Sequence, residues 1–151
     1  MPFVPGNEVR DATIAQIDIE TLYALLRLRV DVFVVEQRCP YPELDGRDLE
    51  PGTRHVWLQD PGGAPLAYLR LLDDGEARRI GRVVTARAAR GRGLAERLMT
   101  RALALSADRP VVLDAQAPLE RWYARFGFVR TGDDFDEDGI LHVPMRLEAQ
   151  A

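Results

Sequence analysis

Lysine is absent from the 151 residues, so all twenty basic side chains are arginine. That absence removes Schiff-base catalysis and any lysine ammonium as a site of self-modification. Cysteine occurs once, at Cys39, which excludes an internal disulfide and agrees with a reducing compartment. Histidine occurs at His55 and His142, too far apart to offer a ligand pair at metal spacing, and no metal is expected. Long apolar runs are missing too: the longest, residues 22–35, is broken by Arg27, Arg29 and Asp31, so no membrane span is expected. The opening MPFVPGNEVRD has two prolines and no basic segment followed by an apolar one, so it does not read as a secretion signal, and the expected location is cytoplasmic. With no repeats or low-complexity tracts and 46% hydrophobic residues, the chain reads as one domain over residues 1–151.

What is present is charge, unevenly placed. The net charge of −4 argues against a nucleic-acid partner held on one broad basic face. Eight arginines lie between positions 78 and 101 (78, 79, 82, 87, 90, 92, 97 and 101), opposed only by Glu96. Acids concentrate in residues 43–50 and in Asp133, Asp134, Asp136, Glu137 and Asp138. The pattern predicts an electrostatically divided surface able to take an anionic and a cationic ligand.

Periodicity orders the chain. A short strand is expected near residues 12–17. Leu22, Leu25, Leu26, Val30 and Phe33 then recur at helical spacing behind Asp18, a capping residue. Residues 39–52, rich in proline and glycine, read as a long irregular connection of the kind that borders sites. Strands are expected at 55–59 and 66–72 around the turn PGGAP, and at 80–85. After the loop ARAARGRG, Leu94, Leu98, Met99, Ala102, Leu103 and Leu105 mark a helix. Residues 110–115 read as a buried strand, 119–126 as a short helix ended by Gly127, and 140–147 as a closing strand in which Pro144 requires an edge or a bulge. The fold class is α/β, a mixed, mostly antiparallel sheet flanked by helices.

In RGRGLA, residues 90–95, Gly91 and Gly93 let amide hydrogens converge where a helix begins, a cradle for a diphosphate to which Arg90 and Arg92 add charge-assisted contacts. A P-loop is excluded because it needs a lysine; a dinucleotide fingerprint is excluded because it needs a third glycine and a later acid. The loop resembles the acyl-CoA-binding motif of the GCN5-related N-acetyltransferase (GNAT) superfamily, glutamine or arginine, two residues, glycine, one residue, glycine or alanine, here on Arg90, Gly93 and Ala95. Downstream, YARFGF at 123–128 resembles that superfamily's tyrosine, three residues, glycine, phenylalanine signature. LYALLRLRVDVFVVEQRCPYPELDG, RHVWL, IGRVV, AQAPLERWYARFGF and DEDGILHVPM are similar to segments of its ElaA-like branch, so the resemblance covers most of the chain.

The resemblance implies a GNAT fold and transfer of an acetyl group from acetyl-CoA directly to the amine of a small molecule or peptide. It places the pantetheine arm along Val83, Val84 and Thr85, with the Val84 amide facing the thioester oxygen, and the diphosphate on Arg90, Gly91, Arg92, Gly93, Leu94 and Ala95. Gln116 stands where asparagine is common and is expected against the pantetheine. Tyr123 matches the proton donor to the departing thiolate, or else a wall residue that holds the sulfur; as a phenol it is protonated at neutral pH. Glu36 and His142 are the candidates for general base, with His55 an outsider. Cys39 offers a competing acyl-enzyme route. A CoA-binding sensor without catalysis is the alternative function. Family members often form homodimers, although the sequence shows no interface signature.

Overall fold

The computed structural model describes residues 8–150. The segment read as lacking a secretion signal lies largely outside them, in residues 1–7. Strand β1 is Arg10–Ala12, earlier and shorter than the strand expected at 12–17; the backbone amides of Gln16 and Ile17 both donate to the Thr13 carbonyl, so that stretch is a turn. Helix α1, Ile19–Arg29, begins where Asp18 accepts from the Thr21 amide at 2.8 Å and from its hydroxyl at 2.8 Å, satisfying an otherwise orphaned donor. The helix was expected to run regularly to Phe33. Instead its regular turns end at Arg29 and the chain continues as wide π-helical turns over Val30–Glu36.

Strands β2 (Arg54–Gln59), β3 (Pro65–Asp73) and β4 (Arg78–Thr85) form the expected antiparallel meander. After β4 come helix α2 (Leu94–Leu105), strand β5 (Val111–Gln116), the short helix α3 (Glu120–Ala124), and strands β6 (Val129–Arg130), β7 (Phe135–Glu137) and β8 (Ile140–Leu147). The sheet runs β1-β2-β3-β4-β5-β8-β6, with β7 also pairing β8. Every pairing is antiparallel except that of β4 with β5.

Alternation along the strands sends side chains to two cores. Val56, Leu58, Leu69, Leu71, Ile80, Leu113, Val143 and Met145 pack with Leu94, Leu98, Met99 and Ala102 of α2. Trp57, Tyr68 and Val84 face the other way, onto Leu25, Leu28 and Val32. Fully burying a side chain such as Leu98 contributes about 2 kcal/mol.

Pro144 was expected at an edge or a bulge, yet β8 is interior, flanked by β5 and by β6 and β7. The proline is tolerated because it falls between the two short partners: β7 pairs residues 140–142 and β6 pairs 145–146. Its carbonyl accepts from the Thr131 amide at 2.9 Å on that side, so the N–H it lacks would have faced the same gap.

Two features of β4 shape everything that follows. First, Tyr68 pairs Val84 and Arg70 pairs Gly81, leaving Arg82 and Val83 together opposite Leu69. This is a β-bulge, and Arg82 takes φ +55 to make it. Second, the parallel ladder between β4 and β5 consists of Arg78 with Val111 and Arg79 with Val112 alone; beyond them the strands part.

Candidate active site

The parted strands open a cavity of about 910 Å³. Its walls are the second half of β4, the end of β5, the 90–95 loop with the start of α2, the π-helical turns, the 39–47 connection and the β7–β8 turn. Because β4 leaves β5 after Arg79, the backbone groups of β4 that point away from β3, those of Val83 and Thr85, face the opening with no strand partner among the described residues. The loop end is built for an anion. Gly91 and Gly93 have φ +81 and +70, values that favour glycine, and a Cβ on either would meet no atom within 4 Å, which leaves the backbone approachable. Gly93 caps α2 without a side-chain hydrogen bond, so the first amides of this twelve-residue helix remain available as donors. These residues fit an acyl-CoA diphosphate: open backbone, uncapped amides and two arginines.

Arg90 donates from Nη1 and Nη2 to the two Glu36 oxygens at 2.8 and 2.9 Å, and from Nε to the Thr85 carbonyl at 3.2 Å. The Arg90 hydrogen bonds hold the Glu36 carboxyl below the ordinary carboxylate range. Arg92 reaches the Ala88 carbonyl at 3.3 Å.

At the other end of β5, Gln116 lies opposite His142 in the β5–β8 register and donates to Gln37 Oε1 at 3.4 Å. His142 Nδ1 is 2.8 Å from the Ile140 carbonyl. A carbonyl can only accept, so Nδ1 carries the proton and a neutral His142 keeps the Nε2 lone pair for other work. Its ring stacks on Phe135 at 5.8 Å. Tyr123, on α3, is held edge-on by Trp122 at 4.8 Å and by Phe128 at 6.4 Å. The residue is 6% exposed, and burial pushes its phenol above the ordinary range, so it stays protonated. Among the described residues its hydroxyl has no hydrogen-bond partner, although the side chain lines the cavity.

The structure therefore brings thirteen of the residues singled out in the sequence to one cavity: Tyr123, Glu36, His142, Val83, Val84, Thr85, Arg90, Gly91, Arg92, Gly93, Leu94, Ala95 and Gln116. His55 is not among them. It is fully buried, with Nδ1 2.7 Å from the Tyr68 hydroxyl and Nε2 3.1 Å from the Asp48 carbonyl, so both nitrogens are occupied. Cys39 borders the cavity, but its thiol meets the Asp138 carbonyl at 3.2 Å and no imidazole hydrogen-bonds its sulfur among the described residues. That arrangement lacks the base an acyl-enzyme route needs.

The acids of residues 43–50 correct the expected division of the surface. Glu43 and Asp48 are buried, not displayed. Arg29, fully buried, donates to Glu43 at 2.7 Å and to Asp48 at 2.7 and 3.2 Å. Arg70 holds Asp45 at 2.6 and 2.9 Å, and the bulge residue Arg82 donates to the Glu43 carboxylate at 2.8 Å and carbonyl at 3.0 Å. Tyr41 hydrogen-bonds Glu43 as well. The long connection is thus clamped to β3 and β4 and forms a fixed wall. A signal for this existed in the sequence: Arg29 and Arg70 interrupt apolar runs, and a guanidinium inside a core demands a carboxylate. The acidic stretch 133–138 contains β7 and places Glu137 and Asp138 on the cavity wall. Arg79, Arg82, Tyr41 and Asp114 on that wall were also not foreseen.

A parted parallel strand pair, a bulged β4 and an uncapped helix behind a glycine loop define a class of protein built to hold an acyl-CoA. Comparison agrees: the family model described as acetyltransferase (GNAT) domain matches residues 29–149, and the chain belongs to that family. Within it the chain is ElaA-like. It is 41% identical to protein ElaA of Escherichia coli over 150 residues, covering 93% of this chain and 96% of that protein. The crystal structure of E. coli ElaA superposes with TM-score 0.88 at 39% identity, covering 93% of this chain and 99% of that one. The crystal structure of an acyl-CoA N-acyltransferase from Pseudomonas aeruginosa also gives TM-score 0.88, at 45% identity, covering 96% and 99%. Among the described residues no group of three or more histidines, cysteines or acids could hold a metal ion, and no helix is long and apolar enough to cross a membrane.

Proposed function

We propose that this acyltransferase moves an acetyl group from acetyl-CoA directly to the amine of a small molecule or peptide. The observation that carries the reading is the β4–β5 opening, where unpaired backbone, the glycine loop, Tyr123 and His142 line one cavity. The free edge of Val83, Val84 and Thr85 binds the pantetheine as an added strand would, with Gln116 across the opening. The amides of residues 91–95, with Arg90 and Arg92, take the diphosphate. The expected amide, that of Val84, points at Tyr68 of β3 in the antiparallel register, so the amide of the bulged Val83 beside it, which faces away from β3, is the one that stabilises the oxyanion developing as the amine attacks the thioester carbonyl. His142 Nε2 accepts the proton leaving the amine nitrogen, directly or through one water. The C–S bond then breaks, and Tyr123 gives its hydroxyl proton to the departing sulfur; solvent restores it.

The test is calorimetry of acetyl-CoA on the wild type and Gly93→Trp, followed by thiol release with a panel of amines on the wild type and Tyr123→Phe. Binding lost in Gly93→Trp, and release on particular amines that drops in Tyr123→Phe, supports the reading. No acetyl-CoA binding by the wild type overturns it. Tight binding with no turnover on any amine replaces it with a sensor of acyl-CoA.

A further inference from the structure

Arg90 is fixed by three segments at once. Glu36 closes the π-helical turns, Thr85 ends β4, and Arg90 itself stands in the glycine loop. A guanidinium has five N–H groups, of which Thr85 takes one and Glu36 takes two, leaving one on each Nη, pointing to opposite edges of the group. A two-pronged carboxylate contact sets the plane of a guanidinium as well as attracting it. The wide turns matter here. A regular helix continuing past Arg29 would carry residue 36 to another face, so the π-helical segment is what brings Glu36 to Arg90, 54 positions along the chain.

We propose that Glu36 is a positioning residue for the acyl donor: its carboxylate fixes the plane of the Arg90 guanidinium so that one of its remaining N–H groups meets the donor's diphosphate, and it is not the base that deprotonates the amine. The inference rests on the acyl-CoA reading given above. Both Glu36 oxygens are engaged by Arg90, which lowers the carboxylate's basicity, whereas the His142 Nε2 lone pair has no partner among the described residues. The pair is partly exposed, with side-chain exposures of 41% and 35%, so it adds little to stability and acts through geometry.

The experiment compares Glu36→Gln, Arg90→Gln and the double variant with two donors, acetyl-CoA and S-acetyl-pantetheine, which lacks the diphosphate. The expected result is acetyl-CoA binding weakened about fivefold by either single change and no further by the double, as for a coupled pair. Turnover at saturating acetyl-CoA keeps the acid side of its pH profile, and S-acetyl-pantetheine is used equally by wild type and Glu36→Gln. Loss of that acid side together with a fall in kcat would make Glu36 the base and overturn the proposal. Tighter acetyl-CoA binding in Glu36→Gln would mean that the carboxylate competes with the diphosphate, which also overturns it, as would unchanged binding. A wild type that binds no acetyl-CoA removes the acyl-CoA reading itself and this inference with it.

Discussion

Tyr123 and His142 are single side chains whose surroundings set what each can do. Burial raises the Tyr123 phenol, and a donor must be protonated to act, so kcat/KM shows no alkaline fall from Tyr123 below about pH 10. Tyr123→Phe keeps the edge-on ring packing and loses only the hydroxyl; turnover falls about a hundredfold while the melting temperature holds. Cys39→Ala keeps full turnover in the thiol-release assay, because Cys39 is tied to the Asp138 carbonyl. Turnover abolished in that variant would restore the acyl-enzyme route. At this scale the sequence was informative wherever a residue type carried the chemistry, as at Tyr123, and silent wherever partners decide it. His55 and His142 are the same residue on neighbouring readings; only the structure separates the one with both nitrogens bonded from the one with Nε2 to spare.

Elements add what side chains cannot. The helix α2 was legible because its buried face repeats at helical spacing and its start is marked by Gly93. Gly93→Ala places a Cβ at φ +70, which costs about 1 kcal/mol of stability and turns the first amides of α2 away; acetyl-CoA affinity measured by calorimetry falls with it. The β4 bulge was not legible. IGRVVT reads as an ordinary strand, and nothing in it announces that Arg82 adopts a left-handed conformation, because the cause lies 39 residues away in Glu43. The π-helical turns escaped for a related reason: their apolar residues satisfy a helical pattern, and the extra residue per turn changes the facing of the last ones only. Strands β6 and β7, two and three residues long, are too short for alternation to register.

Across the whole molecule, His55 and the carboxylates clamped by arginine set the response to acid. Burial lowers His55 below its ordinary value. Asp45 is lowered by its Arg70 hydrogen bond; for Asp48 burial acts upward, but the Arg29 hydrogen bond and the neighbouring arginines outweigh it. In each case the unfolded chain binds protons that the folded one refuses, so stability rises with pH through these ranges and is lost as pH falls. Melting temperature should drop first below about pH 6.5, as an unfolded His55 would protonate, and more steeply below about pH 4, where unfolded Asp45 and Asp48 would. A melting temperature flat from pH 7 to pH 3 would contradict this account. The clamp of Arg29, Arg70 and Arg82 on residues 43–48 was missed at this scale because sequence distance hides it: opposite charges far apart in the chain looked like two surfaces and are one network, buried at Arg29, Glu43 and Asp48.

The two ladder pairs that join β4 to β5 also give the molecule a mechanical grain. Strands β1 to β4 form one plate and β5, β8, β6 and β7 another, each laced along its length. Between them backbone bonding is confined to one end, and beyond it the plates are joined by side chains of the core they share with α2. A handle on each plate, pulled apart, should open this line at lower force than two handles on the same plate.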